Sequence, residues 1–137
     1  MNPLAPLYRF ADRLRRGHVS EGERGEDMAH RHLRNQGFTV VARNWRPPQG
    51  GGEIDLVAWD SSAPDAAVLV FVEVKTRASG QWSAPERAID QDKIRTLRRS
   101  ARDYLRRSGS DPERARFDVI AITGDKLEHL RNALSWT

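Results

Sequence analysis

The sequence predicts an α/β protein in which a central mixed sheet of four to five strands is flanked by helices. The predicted elements follow one another as a helix, three strands, a long helix and a fourth strand. Short connections between the first three strands indicate an antiparallel meander. The long helix before the fourth strand indicates a crossover, which makes the sheet mixed and packs helices against it.

The first helix is predicted from a start signal, an apolar stripe and a stop signal. Ser20 and Glu23 have the spacing of a capping box. Ala29 and Leu33 lie one helical turn apart and form the apolar stripe. Gly37 is expected to follow the end of the helix, because glycine favours the conformation that terminates helices.

Four segments are predicted to be strands, and the third has the near-continuous apolar run of a strand that is covered on both faces. A long basic helix over residues 90–107 separates the last two. The tail over 127–137 fits either a strand or a short helix. The four strands are 38–44 (FTVVARN), 53–60 (EIDLVAWD), 68–76 (VLVFVEVKT) and 117–123 (FDVIAIT).

Length and composition indicate one domain with a polyanionic partner. A chain of 137 residues predicts a single domain over 19–137, preceded by a basic amphipathic segment over 1–18 that packs on the core or contacts phosphates. The net charge of +4 favours a nucleic-acid partner. No apolar run approaches the roughly 20 residues of a membrane span, and no signal-peptide pattern is present. The expected location is the cytoplasm, without membrane contact.

Period-2 alternation brings acidic side chains together on the second and third strands. Glu53 and Asp55 share one face of the second strand, and Glu73 and Lys75 share one face of the third. If the strands are neighbours, these faces can be the same, and the carboxylates would then repel one another unless a cation lies among them. Because the group contains oxygen ligands and no His or Cys, it favours Mg²⁺ or Mn²⁺ over Zn²⁺.

The cluster predicts a chemistry of metal-assisted phosphodiester cleavage. A cation there would polarise a phosphate, and Lys75 would orient or deprotonate the attacking water, or stabilise developing charge. Glu26 lies on the apolar stripe of the first helix and needs a partner there. It would hold the cation through a water molecule. The structural alternatives are an ion pair between Glu73 and Lys75, and a salt bridge between Glu26 and an arginine.

The segments GEIDL and VFVEVKTR resemble the PD-(D/E)XK nuclease superfamily, in which an acidic residue on one strand is followed by E-x-K on the next. More narrowly, the chain resembles the YraN family of uncharacterised bacterial proteins that are predicted to be endonucleases. The resemblance covers most of the chain. It includes GERGEDMAHRHLRNQGF, RNWR, GEIDLVA, VFVEVKTR, the basic helix with Lys93, and RFDVIAI.

This resemblance implies a restriction-endonuclease-like core with a divalent metal. Its metal ligands carry over to Asp55 and Glu73, and its lysine to Lys75. Archaeal Holliday-junction resolvases, which are distantly similar, have a helix glutamate that matches Glu26. The analogy with these enzymes also implies that the substrate is branched or structured DNA and that the protein forms a homodimer. Glu53 matches the GEID motif of the family and, with Lys93, is an additional candidate for the site.

Basic residues are almost all arginine, which makes the few lysines informative. Lysine occurs only at Lys75, Lys93 and Lys126, among 23 basic residues. A compact ammonium differs from the planar arginine fork, so a lysine in an apolar strand indicates a special role. The arginines predict a solvated helix face or a phosphate-binding surface. The candidates for nucleic-acid binding are Arg77, Arg95, Arg98, Arg99 and Arg102.

Several features keep two interpretations each. The glycines at 50–52 form a hairpin turn or allow a phosphate backbone to approach, and Trp82 belongs to the core or stacks on a base. Asp118 is interpreted as structural. For the whole chain, the first hypothesis is a Mg²⁺- or Mn²⁺-dependent endonuclease that acts on DNA. The second is a nucleic-acid-binding protein with the same fold and no turnover.

Overall fold

The computed structural model describes residues 21–62, 67–77 and 91–136. The elements within these ranges are two α-helices, five strands and one short 3₁₀ helix over Pro112–Arg114. In chain order they are α1 (Glu21–Asn35), β1 (Thr39–Trp45), β2 (Ile54–Asp60), β3 (Val68–Arg77), α2 (Gln91–Ser108), β4 (Ala115–Thr123) and β5 (Lys126–Leu134).

The five strands form one mixed sheet in the order β1-β2-β3-β4-β5. The pairs β1–β2, β2–β3 and β4–β5 are antiparallel, whereas β3 and β4 run parallel. The chain reaches the parallel strand through α2, since a parallel neighbour requires a crossover. The predicted α/β class, meander and crossover are therefore confirmed.

The two helices cover opposite faces of the sheet. Ala29 and Leu33 of α1 are fully buried in a cluster with Val72 of β3 and other strand residues. On the other face, Ala101 and Leu105 of α2 pack in a second cluster that includes strand residues of β2, β3 and β4. β3 is covered on both faces, which explains its near-continuous apolar sequence.

Helix α1 ends as its sequence predicts. The backbone N–H of Phe38 donates to the carbonyl of Leu33 at 2.9 Å, and the N–H of Gly37 donates to that of Arg34 at 3.1 Å. This pair of hydrogen bonds is a Schellman motif, and Gly37 has the positive φ of 89° that the motif requires. The turn places Phe38 in the α1-side core at the start of the sheet.

Helix α1 approaches β3 closely at Gly25. A Cβ atom at this position would lie 2.3 Å from the Oγ1 atom of Thr76, which no side chain tolerates. Glycine therefore sets the distance between the first turns of α1 and the end of β3. The same approach brings the next residue, Glu26, close to the sheet.

Most predicted element boundaries agree with the structure to within one or two residues. The tail, which the sequence left undecided, forms strand β5 over Lys126–Leu134. Segment 1–18, the capping residue Ser20, the loop 79–89 and Trp82 lie outside the described residues. Neither of the two described helices is long and apolar enough to cross a membrane.

Candidate metal centre

The site forms where β2 and β3 separate. The paired register of these strands ends at Leu56 and Val72. Beyond this pair, the backbone N–H of Val74 donates instead to the Oδ2 atom of Asp55 at 2.8 Å. The carboxylate of Asp55 thus occupies the gap that the departing strand leaves, and continued register places Asp55 opposite Glu73.

Three carboxylates meet in this gap. Glu26 of α1, Glu53 of the loop before β2, and Asp55 each offer an oxygen, and these oxygens all lie within 4.8 Å of one another. All three residues are partly buried. This spacing allows one cation to contact all three carboxylates, so the acidic cluster could hold a metal ion. Glu26 was predicted to act through water, and the structure places it beside Asp55 together with Glu53.

Glu73 adds a fourth carboxylate, on the side of Asp55 that faces α2. Its side chain is 2% exposed, and it interacts with Asp55 across the gap. Burial, and then the charge of Glu73, raise the pKa of Asp55 to about 7, although the Val74 amide and Lys93 oppose the rise. Burial, and then the charge of Asp55, also raise the pKa of Glu26. The negative charges of these carboxylates are therefore only partly offset by the basic groups of the centre.

The carboxylates around Asp55 each have a basic partner. Lys93 of α2 forms an ion pair with the Oε1 atom of Glu73. An Arg46 nitrogen lies 2.8 Å from the Oε2 atom of Glu53, and the Nε atom of Arg43 lies 3.7 Å from the Oε2 atom of Glu26. Among the described residues, no such salt bridge reaches Asp55, in contrast to the three carboxylates around it.

Arg43 and Asn44 of β1 belong to the site, although neither was among the predicted site residues. The Arg43 side chain is 4% exposed and also pairs with Asp27. Asn44 hydrogen-bonds Glu26 through its side chain and has a left-handed backbone with φ of 51°. Asparagine tolerates this conformation better than most residues. A polar Arg-Asn pair inside an otherwise apolar strand was the available signal.

Lys75 and Arg77 follow Glu73 on the same face of β3. The Lys75 side chain is partly buried, two residues beyond Glu73. Arg77, the last residue of the strand, is 9% exposed. This burial leaves Arg77 little surface for contact with a nucleic acid, in contrast to its predicted role.

Several arginines of α2 hydrogen-bond backbone carbonyls. Arg98 donates to the carbonyl of Ser135 at 2.9 Å, and Arg102 donates to that of Trp136 at 2.8 Å. Arg99 donates to the carbonyl of Gly51 at 2.6 Å. These bonds tie the tail and the loop before β2 to the helix. Each guanidinium has five N–H donors, so these contacts leave others for a phosphate.

The glycine loop before β2 packs directly on α2. A Cβ atom on Gly52 would lie 2.4 Å from the Oγ atom of Ser100 and 2.6 Å from the Cγ2 atom of Thr96. Gly52 is thus required by the close approach of helix and loop, a role that neither a simple turn nor a phosphate contact describes. Beside it is an open cleft of about 300 Å³, lined in part by Gly51 and Arg99.

A second polar cluster, on β4 and β5, supports the structural interpretation of Asp118. The fully buried Asp118 carboxylate accepts hydrogen bonds from Arg116 at 2.9 Å and from the Nε2 atom of His129 at 2.8 Å. Burial alone would raise the pKa of Asp118, but His129, Arg116 and the Asn132 amide together lower it. In contrast to Asp55, this carboxylate is fully compensated by protein groups.

Comparisons with known proteins identify relatives over most of the chain. The sequence model of the uncharacterised protein family UPF0102 matches residues 25–122. A UPF0102 protein of Solibacter usitatus is 52% identical over 132 residues, covering 93% of this chain and 96% of the relative. A UPF0102 protein of Desulfosudis oleivorans is 41% identical over 114 residues, covering 82% and 87%. These matches confirm the predicted YraN-like resemblance at the level of the family.

Proposed function

The chain belongs to the uncharacterised protein family UPF0102, and we propose that it is a Mg²⁺- or Mn²⁺-dependent endonuclease that hydrolyses phosphodiester bonds in DNA. Branched or structured DNA is the proposed substrate class. The observation that carries this proposal is the state of Asp55. It lies between Glu26 and Glu53 on one side and Glu73 on the other, with a pKa raised to about 7 and no salt bridge from the described residues.

A structural ion network would pair its central carboxylate with a basic side chain. Asp118 illustrates the alternative, since protein donors hold its charge and lower its pKa. At Asp55 the neighbouring groups are mainly acidic, and an added cation would relieve their repulsion. Oxygen ligands of this kind favour a hard cation, which is the basis for proposing Mg²⁺ or Mn²⁺.

The proposed ligands are Asp55, Glu26 and Glu53, with Glu73 beside them. A divalent cation supplies Lewis-acid activation of a phosphate and of the attacking water. The Val74 amide holds the Asp55 carboxylate in position. Lys75, on the same face as Glu73, is proposed to orient the attacking water or to stabilise charge that develops on the phosphate.

The proposed DNA-binding surface is the exposed side of α2. Arg95, Arg99 and Arg102 are exposed there, and the helix begins at the turn that carries Lys93 to the site. Phosphate binding by this surface would depend strongly on salt. We expect DNA affinity to fall as salt rises, and Arg95→Gln to weaken it further. An affinity that does not respond to salt would contradict a phosphate-binding surface.

The test of catalysis is a cleavage assay on junction, flap, single-stranded and linear DNA with Mg²⁺, with Mn²⁺ and with a chelator. The wild type is compared with Asp55→Asn and with Glu128→Gln, an exposed carboxylate of β5. We expect metal-dependent cleavage by the wild type and by Glu128→Gln, and none by Asp55→Asn. The proposal fails if no substrate is cut, or if Asp55→Asn cuts as well as the wild type.

The second candidate is a DNA-binding protein without turnover, and the ion pairs around the cluster favour it. Arg43, Arg46 and Lys93 already offset part of the negative charge without a metal. Under this alternative, DNA would bind with equal affinity in a chelator and in Mg²⁺, and no strand would be cut. Metal-dependent cleavage that requires Asp55 would exclude it.

A further inference from the structure

The ion pair between Lys93 and Glu73 occupies the side of the cluster that faces α2. Glu73 is 2% exposed, so its charge requires a partner inside the protein. Neither of its carboxylate oxygens receives a hydrogen bond of good geometry from the described residues. The contact with the Lys93 ammonium is therefore the main compensation that the structure shows for this buried charge.

Lys93 has access to solvent, in contrast to Arg43, the partner of Glu26. Its side chain is 47% exposed, whereas that of Arg43 is 4% exposed. Lys93 lies in the first turn of α2, with its charged end at the cluster. A long flexible side chain in this position can move its ammonium into water without opening the core.

A divalent cation and the Lys93 ammonium would compete for the same negative charge. Asp55 interacts with both Glu73 and Lys93, so the ammonium also acts on the proposed ligand. A cation that enters beside Asp55 would repel the ammonium, since both are positive and both lie close to Glu73. Either one of the two positive groups is displaced from the carboxylates, or both bind there more weakly.

We propose that Lys93 is an exchangeable counter-ion, which neutralises Glu73 in the metal-free protein and is displaced when the divalent cation binds. This inference rests on the proposed cation site. The displaced ammonium stays at the rim of the site, where it meets the phosphate of an incoming substrate. Lys93 thus offsets the charge of Glu73 in the metal-free protein and frees a positive charge only in the metal-loaded form.

The test is the affinity of the whole protein for Mn²⁺, measured by isothermal titration calorimetry without DNA. Lys93→Gln removes the competing charge, and we expect it to bind Mn²⁺ about 3- to 10-fold more tightly than the wild type, the effect of an ion pair worth about 1 kcal/mol. Lys93→Arg keeps the charge and replaces the ammonium by a planar fork that can contact both oxygens of Glu73, and it is expected to bind Mn²⁺ no more tightly than the wild type. Lys126→Gln, an exposed lysine of β5, is the matched control.

A purely structural role predicts a different pattern. Lys93→Gln would then lower the unfolding temperature of the metal-free protein without strengthening Mn²⁺ binding, and this result would overturn the inference. If Lys93→Gln does not fold, Lys93→Arg still tests the inference. Tighter Mn²⁺ binding by this variant would contradict competition between Mn²⁺ and the positive charge at position 93. If the wild type itself binds no Mn²⁺, the cation site fails, and the inference falls with it.

Discussion

Replacing Asp55 by asparagine is expected to stabilise the metal-free protein. The pKa of Asp55 rises from 3.8 to about 7 on folding, because of burial and then the charge of Glu73. The folded state therefore binds this proton more tightly than the unfolded chain does. Its stabilising contribution is fully present below pH 3.8 and is lost as the pH rises through about 7.

The magnitude follows from the difference between the two pKa values. At about 1.4 kcal/mol per pH unit, a rise from 3.8 to about 7 corresponds to roughly 4 kcal/mol of lost stability in alkaline solution. Asparagine avoids this cost because it is neutral, and its carbonyl oxygen can still accept from the Val74 amide. We therefore expect Asp55→Asn to be more stable than the wild type by up to ~4 kcal/mol above pH 7.

The assay is urea unfolding in the presence of a chelator at about pH 5 and about pH 8.5. The free energy of unfolding falls linearly with urea concentration, so its value in water is obtained by extrapolation. The difference in free energy of unfolding between Asp55→Asn and the wild type should increase with pH. The matched variant is Asp118→Asn, which removes a charge that Arg116 and His129 compensate, and it should destabilise by about 3–5 kcal/mol. An Asp55→Asn variant that is less stable than the wild type at high pH, or equally dependent on pH, would refute the electrostatic reasoning.

Three further predictions concern packing and the second polar cluster. Gly25→Ala should lower the unfolding temperature, and Thr76→Ala should restore part of the loss in the double variant, since it removes the atom 2.3 Å from the new Cβ. Gly52→Ala should cost about 1–3 kcal/mol in urea unfolding through its clash with Ser100, and an unchanged midpoint would contradict this. The Nε2 atom of His32 on α1 lies 3.0 Å from the Nδ1 atom of His129, and burial, followed by the charge of His129, lowers the pKa of His32. Stability should therefore fall as the pH drops below 6.5, and less so in His32→Asn.

The sequence predicts that Asp55 and Glu73 lie close together because the pairing of β2 with β3 sets these two positions opposite each other. Alternation places Asp55 with Val57 and Glu73 with Phe71, and the observed register pairs Val57 with Phe71. The register therefore keeps the two acidic residues at opposing positions of neighbouring strands. A shift of one residue in this register would have sent Glu73 to the opposite side of the sheet.

The separation of β2 from β3 could not be predicted in the same way. Alternation alone would keep Asp55 on the α2 side of the sheet, out of reach of α1. Because the strands part beyond Leu56, the Asp55 carboxylate turns into the gap and accepts from Val74. Glu26 reaches it there from the opposite side. The proximity of Glu26 and Asp55 thus depends on where a strand pair ends, which residue patterns do not reveal.

The ambiguity of the tail has a specific physical cause in β5. Val119 pairs with Leu130 and Phe117 pairs with Leu134, so the single residue between them on β4 faces three residues on β5. The irregularity includes Asn132, with φ of 53°. Leu130 and Leu134 both pack on the α2 side, and their spacing of four residues also fits a helical stripe.

A lysine at position 93 agrees with the proposal that the counter-ion of Glu73 exchanges with a divalent cation. Ion pairs that hold fixed carboxylates in this structure use arginine, as Arg116 does when two of its nitrogens contact Asp118. A planar fork holds both oxygens of a carboxylate, whereas an ammonium is a single compact charge that contacts one. Glu73, the proposed neighbour of a cation, has the ammonium instead. In a chain that otherwise uses arginine, a lysine thus pairs with Glu73, the carboxylate whose counter-ion is proposed to be displaced by the cation.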